Sequence, residues 1–194
     1  MNYRADQESF LSDRELLKKG FKKIGNNVKI SRFATFYRVD LIKLGNHTRI
    51  DDFAVLTGNI EIGDYCHIAP HSVISGSSDS IVSIGSFCTF AYGVRVFSRS
   101  DDYHGFSMTG SVVPSEFTSP YSNDIVIDNH CIIGASAVVF PGVHMSEGTA
   151  LGSMSLLKVS TGPWTIHAGI PAKQIKERLQ LPKQYETQCW EQMS

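Results

Sequence analysis

One irregular segment of this sequence, residues 98 to 125, sets two carboxylates, a phenol and an imidazole side by side. These groups belong to Asp101, Asp102, Tyr103 and His104. An imidazole changes its charge near neutral pH, so it suits proton transfer. Regular patterns flank the segment, and a long loop leaving a rigid scaffold is usually functional or disordered. Because the segment carries aromatic residues and is not of low complexity, we predict that it is functional.

The remaining histidines and the four cysteines offer less chemistry. Cys66, Cys88 and Cys131 occupy equivalent places of a repeat described below, where a buried thiol behaves as a small hydrophobe. Their spacing matches no zinc pattern. His67 and His71 are four residues apart, at different positions of successive repeats. We therefore predict that the protein has no metal site.

The elements that must position the loop follow from apolar residues spaced six apart. A period of six fits neither an α-helix nor a simple alternating strand, and it is typical of a β-helix built from hexapeptide repeats. A small or β-branched residue follows most of these leading residues four positions later. The leading residues are Ile24, Ile30, Phe36, Leu44, Ile50, Leu56, Ile62, Ile68, Ile74, Ile84, Phe90, Val96, Ile127, Ile133, Val139, Met145, Leu151 and Leu157.

Each hexad is predicted to supply one short strand and one bend, so three hexads close a coil of about 18 residues. The leading residue points inward, and coils must stack because no single coil can bury its own apolar residues. Coils are expected to start near residues 24, 44, 62, 84, 127 and 145. Glycine often follows the leading residue, as Gly63 does, and we expect it to ease a turn there. His47, His71 and His130 fall at the fourth place of a hexad and are expected to point outward into solvent.

The two ends of the repeat need caps, since an open stack exposes core and strand edges. Residues 6–21 read as an amphipathic helix, with Ser12 and Glu15 in the form of a capping box. At the other end residues 172–178 are predicted to be helical, with Pro182 ending or bending that helix. The predicted division is a helical cap at 1–23, a β-helix at 24–160 and a closing segment at 161–194. The N-terminal residues expected to cover the core are Phe10, Leu17 and Phe21.

Length and charge exclude some functions. A chain of 194 residues suits one domain with a sizeable core, and a net charge of −1 leaves no electrostatic footprint for nucleic acid. The N-terminus lacks the apolar stretch of a signal peptide, and no apolar run is long enough to span a bilayer. We expect a cytoplasmic protein.

The hexads, the extruded loop and two local motifs together resemble the hexapeptide-repeat acyltransferases. The motifs are IGASAVVFPGV at 133–143 and AGIPAK at 168–173, and the resemblance covers residues 24–178. The nearest branches are the galactoside, maltose and polysaccharide O-acetyltransferases and the xenobiotic acetyltransferases. The resemblance implies a left-handed coil, a homotrimer, acetyl-CoA as acyl donor and active sites in clefts between subunits.

The resemblance also implies roles for the loop residues. His104 corresponds to the general base that removes the proton of a sugar hydroxyl, and Asp101 or Asp102 would orient its imidazole. Acetyl would pass directly from the thioester to the hydroxyl of a sugar or polysaccharide precursor. Two positions depart from the family: Asp101 aligns where the galactoside and maltose enzymes have their histidine, and Ile132 replaces a common tryptophan.

Family practice further implies a donor site. Lys173 matches a basic residue of the closing motif, and Lys158 matches a second lysine one residue early, although a solvated surface role is open for it. Trp164 is expected to pack at the end of the solenoid or to stack near the adenine. The pantetheine arm is expected to contact the backbone around a set of small residues, Ala135, Ser136, Gly152 and Ser153.

The acceptor is the least determined part of the prediction. Tyr92, Arg95, Tyr103 and His71 are candidates to contact it, as surface residues near the loop or the expected cleft. Besides O-acetylation of a sugar hydroxyl, two alternatives remain open. One is N-acetylation of a nucleotide-linked amino sugar, which would depend less on His104, and the other is a non-catalytic β-solenoid that binds a partner.

Overall fold

The computed structural model describes residues 9–191, which form a three-sided parallel β-helix. One helix precedes the β-helix in the chain and one follows it. The helices are α1 (Asp13–Lys19) and α2 (Leu181–Glu191). The strands are β1 (Lys23–Ile24), β2 (Lys29–Ile30), β3 (Thr35–Tyr37), β4 (Ile42–Leu44), β5 (Arg49–Ile50), β6 (Val55–Thr57), β7 (Ile60–Ile62), β8 (His67–Ile68), β9 (Val73–Ser75), β10 (Val82–Ile84), β11 (Thr89–Phe90), β12 (Arg95–Phe97), β13 (Arg99–Ser100), β14 (Tyr121–Ser122), β15 (Ile125–Ile127), β16 (Ile132–Ile133), β17 (Val138–Val139), β18 (His144–Met145), β19 (Ala150–Leu151), β20 (Leu156–Leu157), β21 (Thr165–Gly169) and β22 (Ala172–Glu177).

Successive strands of one coil belong to three different sheets, as the hexads predict. The first sheet has the order β1-β4-β7-β10-β15-β18, the second β2-β5-β8-β11-β16-β19-β21-β22 and the third β3-β6-β9-β12-β17-β20. Leading residues stack on leading residues, for example Ile50 on Ile68, and both are fully buried. The predicted left-handed β-helix is confirmed. We call the bends after the first, second and third sheets the first, second and third corners.

The first corner carries a column of stacked rings, the first ladder, formed by His47, Tyr65, Phe87, His130 and Trp164. The fourth place of the hexad has a left-handed backbone, with φ of 54° at His47 and 61° at His130. Neighbouring rings lie 4.7 to 5.8 Å apart. His130 is only 5% exposed, so the expectation that it is solvated is wrong. It is buried because rings cover both of its faces and Glu186 of α2 lies 3.1 Å from its Nε2.

Helix α2 packs along this ladder and covers its outer side. The Trp190 indole meets the Phe87 ring edge-on at 5.2 Å, and the Tyr65 hydroxyl donates to the Cys189 carbonyl at 3.1 Å. Lys183 at the start of the helix pairs with Glu147 at 3.0 Å. The C-terminal helix therefore closes the side of the solenoid.

Residues 172–178 are not the predicted helix. They form β22, which pairs antiparallel with β21 and so satisfies the backbone groups at the edge of the second sheet. Gly169, at φ 103°, turns the chain between the two strands. The helix begins later, at Leu181, with Pro182 in its first turn, where a missing N–H costs nothing.

The N-terminal helix is shorter than predicted. It runs over Asp13–Lys19, and residues 6–8 of the prediction lie outside the described residues. The Glu15 carboxylate accepts hydrogen bonds from the backbone N–H and the hydroxyl of Ser12, which confirms the capping box. Leu16 packs into the core, whereas Leu17 is 76% exposed, contrary to expectation.

Glycine after a leading residue serves close packing rather than turning. A Cβ on Gly63 would lie 2.7 Å from the backbone of Gly85, and a Cβ on Gly134 would lie 2.4 Å from the nitrogen of Ser153. Any side chain there would push successive coils apart.

The three cysteines of the repeat are buried and point inward, as predicted. Hydrogen bonding with the thiols of Cys131 and Cys66, together with burial, raises the pKa of the Cys88 thiol well above its usual value. Among residues 9–191, no group of three or more histidine, cysteine or acidic side chains is placed to hold a metal ion. No helix in that range is both long and apolar enough to cross a membrane.

Candidate functional site

The irregular segment leaves the solenoid at the third corner and encloses a cleft of about 860 Å³ against the third sheet. The antiparallel pair β13 and β14 closes the base of the segment, and a short 3₁₀ turn lies at Ser115–Phe117. A cleft of this size suits a small-molecule substrate. Its lining residues are Ser100, Asp101, Asp102, Tyr103, His104, Phe106, Ser119, Pro120, Tyr121, Phe140, Pro141 and Lys158.

Asp102 holds the loop together. One of its oxygens accepts the backbone N–H of His104 at 2.7 Å, and the other accepts the backbone N–H of Ser107 at 2.8 Å. These hydrogen bonds, the His104 one foremost, lower the pKa of Asp102. The Ser107 hydroxyl also donates to Asp102, at 3.3 Å. The predicted link between Asp102 and His104 therefore runs through the backbone and not through the imidazole.

Asp101 and His104 face the cleft with fewer constraints. One carboxylate oxygen of Asp101 accepts the backbone N–H of Gly110 at 3.1 Å, and this is the only hydrogen bond of the Asp101 side chain within the described residues. The exposed His104 imidazole lies 6.2 Å from the Phe106 ring. In residues 9–191 no hydrogen bond joins this imidazole to Asp101 or Asp102, so neither carboxylate orients the ring here.

The opposite wall of the cleft comes from the third sheet. It carries the one lysine that lines the cleft. Lys158 directly follows β20, and its ammonium lies 5.5 Å from the centre of the Phe140 ring. Phe140 in turn packs on Phe97 at 5.2 Å. Among the lining residues Lys158 is the only lysine or arginine. Lys158 therefore supplies a cation opposite Asp101 and Asp102.

The small residues proposed for the donor lie elsewhere, along the second corner. The backbone N–H of Ser136 donates to the Tyr92 carbonyl at 2.8 Å, and the Met154 N–H donates to the Ala135 carbonyl at the same distance. Ser136 and Ser153 are exposed, and Ala135 and Gly152 are half-buried. The backbone at this corner is thus open to a close ligand.

Lys173 lies beside the same corner. It pairs with Ala168 in the β21–β22 hairpin, and a Cβ on Gly152 would lie 2.9 Å from the Cβ of Ala168. Lys173 is exposed and reaches solvent next to the small residues of the last coils. Trp164, by contrast, is 5% exposed and packs within the first ladder.

The candidate acceptor residues are split between the two places. Tyr103 lines the cleft, whereas Tyr92, Arg95 and His71 follow the second corner and the third sheet. An Arg95 guanidinium nitrogen donates to the Gly93 carbonyl at 3.2 Å. His71 stacks on Phe53 with ring centres 5.1 Å apart.

The structure therefore sorts the predicted residues into two groups on one chain. The cleft unites Asp101, Asp102, Tyr103, His104 and Lys158, and the second corner unites the remaining ones. Sequence reasoning missed the apolar lining of the cleft, which is Phe106, Pro120, Tyr121, Phe140 and Pro141. The aromatic residues of the irregular segment were the signal that could have indicated it.

Comparisons with known proteins agree on the class of protein. Residues 42–76 match the family model "Bacterial transferase hexapeptide (six repeats)". The chain is 42% identical to the dTDP-4-amino-4,6-dideoxy-D-glucose acyltransferase of Escherichia coli over 88% of this chain and 89% of that protein. It is 27% identical to WbbJ of Escherichia coli strain K12, a putative lipopolysaccharide biosynthesis O-acetyl transferase, over 85% of this chain and 84% of that one.

A solved structure extends the likeness to three dimensions. AntD, an N-acyltransferase from Bacillus cereus crystallised in complex with dTDP and 3-hydroxybutyryl-CoA, superposes with a TM-score of 0.90 at 34% identity. The match covers 95% of this chain and 98% of that chain.

Proposed function

This chain belongs to the hexapeptide-repeat acyltransferases, and from that premise we propose that it transfers an acyl group from an acyl-CoA to the amine of a nucleotide-linked amino sugar. The observation that carries the proposal is the 42% identity with an amino-sugar acyltransferase along nearly the whole of both chains. The predicted O-acetylation of a sugar hydroxyl is the second candidate, and the likeness to WbbJ favours it.

The geometry of the loop supports an amine acceptor over a hydroxyl. A hydroxyl is a poor nucleophile until a base removes its proton, and such a base works best when a partner fixes its orientation. Within the described residues of one chain, His104 is joined to Asp102 through its backbone N–H, and neither loop carboxylate binds its imidazole. A neutral amine attacks through its lone pair, so no proton has to be removed from it beforehand. The nitrogen loses its proton only after the new bond forms, and an exposed carboxylate is a sufficient acceptor for that proton.

In the proposed reaction the amine nitrogen bonds to the carbonyl carbon of the thioester, and the carbon–sulfur bond breaks. The proton lost by the nitrogen passes to the free oxygen of Asp101, and the CoA sulfur leaves as a thiolate. Asp101 then returns that proton to the sulfur through solvent, so the carboxylate is regenerated and the free CoA thiol is the second product. Asp102 keeps the loop in place through the His104 and Ser107 N–H groups. Lys158 offsets the negative charge of the two carboxylates across the cleft.

The second corner fits a CoA molecule. Ala135, Ser136, Gly152 and Ser153 present small side chains and accessible backbone, which allow a thin pantetheine arm to approach closely. Lys173 beside them is exposed and available to the phosphates. The chemistry supplied by the bound donor is an activated acyl group.

We further propose that the active enzyme is a homotrimer in which the loop of one subunit meets the second corner of the next. On one chain the cleft lies at the third corner and the donor residues at the second corner. The loop also exposes large apolar side chains, with Phe106 at 90% and Val112 at 94%. Surfaces of this kind are usually covered in an assembly.

A matched pair of acceptors tests the proposed function. The purified protein is incubated with acetyl-CoA or 3-hydroxybutyryl-CoA and either dTDP-4-amino-4,6-dideoxyglucose or the same sugar nucleotide with a hydroxyl at C4. Free thiol is followed with a chromogenic reagent. We expect turnover with the amine to exceed turnover with the hydroxyl by about 100-fold or more. Turnover of the hydroxyl alone would establish O-acylation instead, and turnover of neither would reject the proposed acceptor.

A further inference from the structure

A second column of stacked rings runs along the second corner and ends abruptly. Its members, the second ladder, are Phe33, Phe53 and His71, with ring centres 5.6 and 5.1 Å apart. Unlike the first ladder, it is open to solvent: Phe33 is 58% and Phe53 is 52% exposed, and His71 is exposed as well. The next position of the column, one coil further along, is Gly93.

The backbone at Gly93 does not explain the absence of a ring there. Its φ is 68°, but His71 has φ 63° and Phe53 has φ 59° at the same place of their hexads. Apart from its neighbours Tyr92 and Val94, only the Ser136 hydroxyl among the described residues comes within 4 Å of the place where a Cβ would lie, at 3.5 Å. The face of the His71 ring on the Gly93 side therefore borders a space that no ring of the column fills.

The first ladder shows what such a glycine does in this protein. Gly148 stands at the equivalent place with φ 69°, and a Cβ there would lie 2.3 Å from the Trp164 indole. The indole fills the space next to the glycine and continues the column from His130 at 5.8 Å. A glycine in the column thus makes room for a ring that comes from elsewhere.

We propose that the space above His71 is the nucleobase subsite of the acceptor, so that a pyrimidine base continues the second ladder next to Gly93. This inference rests on the proposed function, since it names where a nucleotide-linked acceptor is held. Every base offers a flat face that stacks on an aromatic ring. The subsite lies on the same corner as Ser136 and Ser153, so the acceptor and the donor lie along one edge of the solenoid.

Two neighbouring side chains fit the rest of a nucleoside diphosphate. Arg95 is held at the Gly93 carbonyl by a 3.2 Å hydrogen bond, which places a cation beside the space for the diphosphate. Tyr92 is 65% exposed next to Gly93 and is available to cover the sugar. The Ser136 hydroxyl borders the space on the side away from His71.

Filling the space tests the subsite directly. Gly93→Phe places a ring at the next position of the second ladder. Phe87 and Phe53 already adopt the left-handed backbone that Gly93 has, so a phenylalanine is compatible with it. We expect calorimetric titration with dTDP to show affinity reduced by about 30-fold or more, while the affinity for CoA stays within about threefold. His71→Ala removes the stacking partner and is expected to weaken dTDP binding by about tenfold.

Controls separate the ring from the backbone and the subsite from the function. Gly93→Ala makes the same backbone change without a ring and is expected to bind dTDP at least about tenfold more tightly than Gly93→Phe. Phe33→Ala removes a ladder ring far from the space and is expected to bind dTDP as the wild type does. Equal affinity of Gly93→Phe and Gly93→Ala, or wild-type protein that does not bind dTDP, would overturn the subsite.

Two further readouts complete the test. A Gly93→Phe protein that still turns over the amino sugar at the wild-type kcat/KM would reject the subsite and leave the proposed function standing. Wild-type protein that binds dTDP but acylates no amino sugar would reject the function and leave the subsite.

Light scattering is expected to give the same molar mass for the wild type and for Gly93→Phe. A change of mass in the variant would mean that a second copy fills the space, and it would also overturn the subsite.

Discussion

Two adjacent carboxylates of the loop have different surroundings, and we propose different tasks for them. Both oxygens of Asp102 accept backbone N–H groups, which stabilises its charged form and lowers its pKa. A carboxylate held in this way is a poor proton acceptor and a good organiser of the loop. Asp101 keeps one oxygen available to the cleft, and only the Gly110 N–H binds the other. At the scale of single residues, Asp101 is therefore the better candidate for proton transfer.

The first prediction compares Asp101 with His104. Asp101→Asn keeps an oxygen for the Gly110 N–H but loses the basic oxygen, so we expect kcat with the amino sugar to fall by about 100-fold or more. His104→Ala is expected to lower kcat by less than about tenfold, because in the proposed reaction Asp101 and not His104 accepts the proton. Steady-state kinetics with saturating acyl-CoA measure both. The reverse order of effects would restore His104 as the base and favour a hydroxyl acceptor.

At the scale of elements, the sequence predicts the solenoid well because one position of the hexad has one environment throughout. Every coil places an apolar side chain inward at the leading position, as Ile50 and Ile68 show, so a six-residue period survives in the sequence. Residues 172–178 have no such period, and their lysines, glutamine and alanine favour a helix. The edge of β21 overrides that local preference, since its unpaired backbone groups need a partner strand.

The burial of His130 and the hydrogen bonds of Asp102 were beyond sequence reasoning for a related reason. An outward position of the hexad is solvated unless something distant covers it, and Glu186 and Trp164 do so here. Likewise, the loop residues were recognised by their irregular setting, but the role of Asp102 depends on which N–H groups the folded loop brings to it. Contacts of this kind leave no local pattern.

The second prediction concerns the N-terminal cap and pH. Hydrogen bonds from the Arg32 guanidinium and the Ser12 hydroxyl lower the pKa of Glu15 to about 2 in the folded protein, against an ordinary value of 4.5. A lowered folded pKa means that the contribution of Glu15 is complete above about pH 4.5 and is lost as the pH falls toward 2. We expect the amide-exchange protection of Asp13–Lys19 to decrease over that range relative to β8. Glu15→Gln should remove this decrease, and an unchanged decrease in that variant would show that Glu15 does not cause it.

The third prediction tests whether the Trp164 indole is packed against Gly148. Gly148→Ala and Gly93→Ala both place a Cβ on a left-handed backbone, at φ 69° and 68°. Only the first also drives that Cβ into the Trp164 indole, at 2.3 Å. We expect Gly148→Ala to lower the free energy of unfolding by about 1–3 kcal/mol more than Gly93→Ala does. Urea unfolding at one protein concentration measures the difference, and equal losses would mean that the indole is not held against Gly148.

At the scale of the whole molecule, a rigid solenoid keeps the two halves of the proposed site apart. The loop leaves the third corner, whereas the small residues and Lys173 follow the second corner and its adjoining sheet. A β-helix cannot bend to bring two corners together, because each coil is fixed by the coils above and below it. A second copy can supply the missing half, and cyclic symmetry then repeats the same junction around the assembly.

The last prediction uses two inactive variants to test this junction. Asp101→Asn inactivates the loop, and Ser136→Trp blocks the donor edge at an exposed position whose φ of 58° matches the aromatic residues of the ladders. Each variant alone is expected to be inactive, and light scattering must first show that each is a trimer. Unfolded together in equal amounts and refolded, they should recover about a quarter of wild-type activity, since one random junction in four joins an intact loop to an intact edge. Mixing without refolding is the control. No recovery from mixed trimers would place both halves of the site on a single chain and reject the proposed arrangement.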